Sequence, residues 1–375
     1  MPSKKFGVIW KAEPHTLAKI TILETYLQIW FQIMGRSMPG TDIFYVDGFA
    51  GPGEYENYPK GSPIAAIDSA KAALALSGGQ WRAGDIHCTF IESDENRFNH
   101  LQQVLGQTEI SQKIKIHLIP KSFSDGIAQL KSEIPRMFSN TSPLFVFIDP
   151  FGATGVPFTI VEDILKSSCS EVLVNFDADG IARIYRAEDK ANSIVLLDEI
   201  FGTHDWEKGL AEINDFAGLC RQVLKFYKEN LRRLPNIQYD FAFEMRTRTT
   251  TLNYYLVFAS QHYLGLEKMK EAMKKVDQTG TYQFTDAHVN QYSLFRFDDP
   301  ENYSPLLFDS FCGKTTRFEE LRDFALNETP FTNPKSMLKD LENKGLIIVM
   351  SSDPKRRKGT FNEEKIDKIV FKRSE

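Results

Sequence analysis

The chain has 375 residues, 42% apolar and 25% charged, with a formal net charge of −5. That balance suits a folded globular protein with ample core, and the length suggests two or three domains of roughly 150 residues each. No run approaches the ~18 uncharged apolar residues of a membrane span. Met1-Pro2-Ser3-Lys4-Lys5 is followed by no apolar signal segment, so secretion is not expected. Cys88, Cys169, Cys220 and Cys312 are far apart and form no CxxC pair. They predict reduced thiols in a cytoplasmic protein and no metal site. Charge is uneven: residues 314–375 hold 14 Lys+Arg and 11 Asp+Glu, net +3, which leaves −8 for residues 1–313. A basic tail on an acidic body points to an anionic partner held by the tail.

Residues 15–34 come first, with Ile20, Leu23, Leu27, Trp30, Phe31 and Met34 at three- and four-residue steps. The spacing predicts an amphipathic helix whose polar face carries Lys19, Glu24, Gln28 and Gln32. Trp10, Lys11 and His15, just before it, are candidates to line a pocket. The run Ile43-Phe44-Tyr45-Val46 then enters Asp47-Gly48-Phe49-Ala50-Gly51-Pro52-Gly53. An apolar strand buried on both faces ends in an acid and a glycine turn, which lets backbone pass close to a ligand. A helix restarts near Ser62-Pro63, with serine as the expected cap. A plain strand-to-helix turn would have the same composition.

From there strands and helices alternate. Ile86–Asp94 reads as a strand, Asn96–Leu105 as a helix, Ile114–Ile119 as a strand and Ile127–Met137 as a helix. Leu144–Ile148 is an apolar strand running into Asp149-Pro150-Phe151-Gly152. Phe158–Leu165 is helical, and Glu171–Phe176 is a fifth strand. Strict alternation predicts a parallel sheet with helices on both faces, and ligands outside the carboxyl ends of its strands. Asp47, Glu92 and Asp149 each end an apolar strand, so they form the candidate site.

Residues 177–236 are helical and charged, and at about 60 residues they are expected to fold as a cap over that site. Tyr239–Met245 and Tyr254–Ala259, joined through Arg246-Thr247-Arg248-Thr249-Thr250, read as an antiparallel pair. The helix Gly265–Val276 carries Lys268, Lys270, Lys274 and Lys275, expected on a solvated face. The character changes near residue 300. Helix Phe318–Leu326, a helix begun by Thr332-Asn333-Pro334, strand Leu346–Met350 and the basic turn Lys355-Arg356-Arg357-Lys358 follow. That order resembles a winged helix-turn-helix whose wing would contact phosphates. A solvated loop tip or a protein-contact module would look alike.

The combination resembles a seven-stranded Rossmann-like class I S-adenosylmethionine (SAM)-dependent methyltransferase over residues 1–300, followed by a winged-helix-like domain over 301–375. Asp47-Gly48-Phe49-Ala50-Gly51-Pro52-Gly53 is similar to that family's first motif, and Glu92 to the acid that holds the ribose hydroxyls. The resemblance implies cofactor contacts from Asp47, Gly48, Phe49, Gly51, Gly53, Glu92, Ser122 and Asp149. Asp149, Pro150 and Phe151 stand where amino-methyltransferases carry Asp/Asn-Pro-Pro-aromatic. There Asp149 would accept from an exocyclic base amine, Pro150 would aim its carbonyl, and Phe151 would stack on the base. The second proline is missing, and Glu92 lies 39 positions after Gly53, against ~20 in dinucleotide folds.

Tyr45 to Gly53, Gly61-Ser62-Pro63, Phe147 to Gly152, Tyr254 to Ala259 and Gly265-Leu266 together resemble the bacterial three-Cys-motif partner protein family. This implies a methyltransferase-like protein paired with a separate radical-SAM-like protein. Two readings follow: a methyltransferase acting on nucleic acid, and a non-catalytic subunit that presents substrate to that partner. NAD binding is disfavoured because Gly51-Pro52-Gly53 lacks the third glycine of GxGxxG. C5-cytosine chemistry is disfavoured because no thiol follows the fourth strand.

Overall fold

The computed structural model describes residues 7–211, 213, 215–247, 253–288 and 298–373. Met1–Lys5 and the Arg248–Thr250 part of the late link lie outside the described residues. The chain divides into two compact units. The first comprises residues 1–276 and 284–289, and the second residues 277–283 and 290–375.

The first unit runs α1 (Pro14–Ser37), β1 (Ile43–Asp47), α2 (Ser62–Ser77), β2 (Ile86–Ile91), α3 (Glu95–Gly106), β3 (Ile114–Ile119), α4 (Phe123–Glu133), β4 (Leu144–Ile148), α5 (Phe158–Leu165) and β5 (Ser170–Phe176). Then come α6 (Ala178–Arg186), α7 (Lys190–Phe201), α8 (Trp206–Gly209), α9 (Phe216–Arg232), β6 (Tyr239–Arg246), β7 (Asn253–Ser260) and α10 (Tyr263–Met273). A short β8 (Gln283–Thr285) closes the edge, and its Phe284 and Thr285 belong to this unit. Strand order is β3-β2-β1-β4-β5-β7-β6-β8. Strands β1 to β5 are parallel, and β7 is antiparallel to both β5 and β6. This is the expected Rossmann-like sheet, with β8 as an eighth strand beyond the seven anticipated.

Every residue of β1 is buried, because the sheet is covered on both sides. Phe44 and Val46 enter the core shared with α4 to α7 and α9. Tyr45 stacks on Phe145, which also meets Tyr26 of α1 at 5.2 Å between ring centroids. Two layers of helices thus explain why the strands read as unbroken apolar runs rather than as alternations.

The helices of 177–236 differ from expectation. Ile181, Leu197, Phe201, Val223, Phe226 and Leu231 are buried in the same core as β4, β5 and β7. They form the crossover layer on one face of the sheet rather than a cap. Their apolar residues had no other place to go, since β5, β7 and β6 need cover on that side. Helix α2 begins from Gly61, and Ser62 sits inside the first turn without capping it. Lys270 also departs from the solvated lysine face: it is fully buried, its ammonium 4.2 Å from the Phe241 ring centroid.

The second unit holds α11 (Pro300–Phe311), β9 (Thr315–Thr316), α12 (Phe318–Glu328), α13 (Lys335–Asn343), β10 (Ile347–Ser351) and β11 (Ile366–Phe371). The strands form an antiparallel sheet in the order β10-β11-β9. Phe308, Leu321, Ala325, Leu338, Leu341 and Ile369 make its own core. Helix α13 starts at Pro334, with the Asn333 side chain accepting from the Lys335 amide at 3.1 Å.

Candidate active site

Strand β1 lies between β2 and β4, so the three strand-ending acids come together at one edge of the sheet. Asp47 is fully buried. Its Oδ1 accepts from the Phe49 amide at 3.2 Å, and its Oδ2 has no hydrogen-bond partner of normal geometry. Burial pushes this carboxyl up to about 7; the Ser62 hydroxyl and Phe49 amide oppose the rise, and the Asp149 and Glu92 carboxylates add to it. Loss of water around the charged form accounts for that direction, and the like charges beside it act the same way.

Glu92 is also buried, and both its oxygens are engaged by backbone. Oε2 accepts from the Gly51 amide at 2.9 Å, and Oε1 from the Asp94 amide at 2.7 Å. The acid after β2 therefore holds the glycine turn after β1 in place. Each carboxylate oxygen keeps a second lone pair for a ligand. Gly51 and Gly53 take φ of 63° and 89°, left-handed backbone that favours glycine. The Gly61 amide donates to the Gly53 carbonyl at 2.8 Å, which closes the turn onto the start of α2. The Gly48 amide donates to the Phe147 carbonyl, and Phe49 stacks on Phe123 at 5.4 Å. Ser122, beyond β3, is exposed and caps α4, accepting from the Asp125 amide and donating to the Asp125 carboxylate at 2.6 Å.

Asp149 has two partners that sequence reasoning did not supply. Its Oδ1 accepts from Lys19 Nζ at 2.7 Å and from Asn175 Nδ2 at 2.6 Å. Lys19, on the face of α1 assigned to solvent, keeps only 12% of its side chain exposed. The ammonium also lies 5.8 Å from the ring centroid of Tyr254. Burial raises the Tyr254 hydroxyl well above the ordinary tyrosine range, and the charges of Asp149 and Asp286 add to it. His15 Nδ1 meets Asp286 Oδ2 at 2.7 Å and completes this wall.

Phe151 is 56% exposed, and its ring lies edge-on to Trp10 at 5.4 Å. The Arg97 guanidinium sits 4.7 Å from the Phe151 centroid and 5.3 Å from that of Trp10. Trp10 is tied down by its carbonyl, which accepts from the Glu56 amide at 3.0 Å. The structure thus brings Asp47, Glu92, Asp149, Phe151, Gly51 and Gly53 to one edge and adds Trp10, Lys19, Arg97 and Asn175. Trp10 and His15, singled out in the sequence near the start of α1, stand beside Phe151 and Asp286 respectively. Nothing in the local pattern distinguished Lys19 from its solvated neighbours.

In the second unit the four consecutive cations divide. Lys355, Arg357 and Lys358 are exposed. Arg356 instead donates to both oxygens of Glu342, at 2.8 and 2.9 Å, with its guanidinium 5.0 Å from the Phe361 centroid. Arg356 therefore closes the basic turn onto α13.

No protein-family model matches this sequence, and no characterised protein matches it by sequence. Among solved structures, the chain is similar to an O-methyltransferase from Bacillus cereus in complex with SAH. That match has 14% identity, covers 63% of this chain and 80% of the other, and has a TM-score of 0.33. It is also similar to Trm1 from Pyrococcus horikoshii with S-adenosyl-L-methionine, at 8% identity over 98% of this chain and 94% of the other, TM-score 0.39. At such identities no residue role passes from those proteins to this chain. Among the described residues, no helix is long and apolar enough to cross a membrane, and no cluster of His, Cys, Asp and Glu could hold a metal ion.

Proposed function

We propose that this chain is a cytoplasmic SAM-dependent methyltransferase acting on nucleic acid, at an exocyclic base amine. The observation that carries the reading is the convergence of Asp47, Glu92 and Asp149 around a left-handed glycine turn. The residues fit the cofactor on two counts. Asp47 Oδ2 is a buried acceptor with no partner of normal geometry, suited to an ammonium. A Cβ on Gly61 would stand 2.6 Å from the Gly53 carbonyl oxygen, so this cradle admits no side chain.

Glu92 would take the ribose hydroxyls, Asp47 the amino group, and Gly51 and Gly53 the close backbone approach. Bound SAM supplies a methyl group on a sulfonium. Asp149 would accept a hydrogen bond from the target amine, whose lone pair is otherwise delocalised into the base; holding the amine's hydrogens leaves that lone pair to face the methyl group. Lys19 and Asn175 fix the carboxylate for that role. Phe151, with Trp10 and Arg97, offers the stacking surface an extruded base needs. The β10-β11-β9 sheet beside α12 and α13 supports the winged-helix reading of the tail, with Lys355, Arg357 and Lys358 as the phosphate-contacting cations.

Incubation with methyl-labelled SAM, followed by separation of RNA, DNA and protein, tests the reading. Label in a nucleic-acid fraction is expected. Binding of S-adenosylhomocysteine without label in any fraction would favour the second reading, a non-catalytic subunit presenting substrate to a three-Cys-motif protein. That alternative draws on one observation: Asp149 already accepts from Lys19 and Asn175, which uses acceptor capacity the amine would need.

Two quantitative expectations follow. Because Asp47 titrates near 7, affinity for S-adenosylhomocysteine should fall about tenfold per pH unit below that value. Asp47→Asn should flatten the profile. The sign for folding is the reverse. A carboxyl raised above its unfolded value of ~3.9 binds its proton more tightly when folded, so its contribution to stability declines as pH rises from about 4 to about 7. Calorimetric affinity that does not vary from pH 5 to 8, markers in ~1 unit steps, would remove Asp47 from the ammonium site.

On the tail, replacing Lys355, Arg357 and Lys358 by alanine should lower the slope of log affinity against log salt by roughly 2.7 on duplex, at 0.9 per phosphate, with folding unaffected. Arg356→Ala should instead destabilise the second unit, by about 1.5–3 kcal/mol for a charge-assisted pair. An unchanged slope in the triple variant would make the wing a protein-contact surface.

A further inference from the structure

Asp149 has polar neighbours that its ion pair with Lys19 does not use up. Asn175 stands one step beyond Val174, the parallel partner of Ile148, so it emerges beside Asp149. Val174 and Phe176, on either side of it, enter the core beneath α6 to α9. The Asn175 side chain therefore stands on the other face of the sheet, the one that α1 covers. Tyr255 and Val257 of β7 enter the same core, so Tyr254 shares that face with Asn175.

The carboxylate of Asp149 has little acceptor capacity left. Its Oδ1 accepts from Lys19 Nζ and Asn175 Nδ2, and its Oδ2 meets Lys19 Nζ at 2.5 Å. A carboxylate only accepts, so the Asn175 amide must turn its NH2 toward Asp149 and its carbonyl oxygen away. That Oδ1 is buried and has no hydrogen-bond partner of normal geometry. The Tyr254 hydroxyl is likewise buried without such a partner. A buried polar atom left unbonded costs stability, so each is better satisfied by a group that enters. Unspent polar atoms on both neighbours of Asp149 are more than an anchor for α1 requires.

We propose that Asn175 Oδ1 is the second acceptor for the target amine, which confines the reaction to a primary exocyclic amine and stops it at one methyl. The inference rests on the methyltransferase reading above. A primary base amine carries two hydrogens, of which one goes to Asp149 and the other to Asn175. The nitrogen lone pair forms the bond to the methyl carbon while the carbon–sulfur bond breaks and leaves its electron pair on sulfur. The alkylated nitrogen passes one proton to the Asp149 carboxylate, which gives it up to water once the product leaves. Tyr254 donates to the ring nitrogen that neighbours the amine. The product keeps a single N–H. On re-entry it can serve one acceptor only, and its methyl group lies against the other. A buried acceptor facing a methyl is disfavoured, so the second transfer is slow.

The full chain is incubated with methyl-labelled SAM and total RNA or genomic DNA, and the digested nucleosides are resolved by mass spectrometry. Label is expected on an exocyclic amine, with monomethylated nucleoside exceeding dimethylated by roughly ten- to a hundredfold. Asn175→Ala removes the acceptor and leaves room for the first methyl. It should slow the first transfer about tenfold and raise the dimethylated share by a similar factor. Unchanged affinity for S-adenosylhomocysteine establishes that this variant is folded. A role limited to holding Asp149 would slow both transfers alike, and an unchanged product ratio in Asn175→Ala overturns the proposal. Dimethylated nucleoside as the main product of the unaltered chain overturns it too, and that result stands even if Asn175→Ala fails to fold. Either outcome leaves methyl transfer to an amine intact. Absence of label from nucleic acid, or label only on a ring atom or the ribose, ends that reading and this inference with it.

Discussion

Glu92→Ala is expected to lower affinity for S-adenosylhomocysteine by two decades or more. A charged hydrogen bond to the ribose is worth ~1.5–3 kcal/mol, or about one to two decades by itself. The same substitution strips the acceptor from the Gly51 and Asp94 amides. The glycine turn then loses the group that holds it, so binding suffers both directly and through the loop. Glu92→Gln separates the two effects, because the amide keeps one acceptor oxygen for the turn. Titration calorimetry giving the same affinity for Glu92→Ala as for the unaltered chain would end the ribose assignment.

Asp149→Asn should leave affinity for S-adenosylhomocysteine within a few-fold and lower turnover by roughly two to three orders of magnitude. That is the size of effect seen when one preorganised polar group facing the reacting centre is lost. Lys19→Met should act in the same direction but less strongly, since Asn175 still holds the carboxylate. Single-turnover transfer to a validated nucleic-acid substrate distinguishes these outcomes. Equal rates for Asp149→Asn and the unaltered chain would reduce Asp149 to an ion-pair partner that anchors α1.

The sheet was legible because its strands are covered on both sides. Full burial on two faces writes itself as short apolar runs, and the helices between them showed their own spacing. The acids at the strand ends were legible for a related reason: a charge directly after four buried residues marks the place where a strand leaves the core. Lys19 was not legible. Helical periodicity separates an apolar from a polar face, but it does not say what lies beyond the polar one, and the first turns of α1 project past the edge where Asp149 emerges. Arg356 was hidden for the opposite reason. Within four successive cations nothing local marks the one whose partner, Glu342, lies on another element. The layer formed by α6 to α9 was misread because length alone suggested an appendage, whereas the exposed flank of β5, β7 and β6 required cover. Helix α11 was missed because Pro300 and Pro305 argue against a helix, though the first fits an opening turn.

Helix α1 has a further consequence. Its 24 residues carry Lys19 to the acidic edge and Trp30 to Glu171, near the start of β5, at the other end of the sheet. At 1.5 Å per residue, Lys19 and Trp30 stand about 16 Å apart along one rod. Adding or deleting a single residue between them would turn one end by about 100° relative to the other. No register could then satisfy both Asp149 and Glu171. The helix is in effect a ruler with two fixed marks: related chains can vary in sequence along it, but its length between those marks should be invariant.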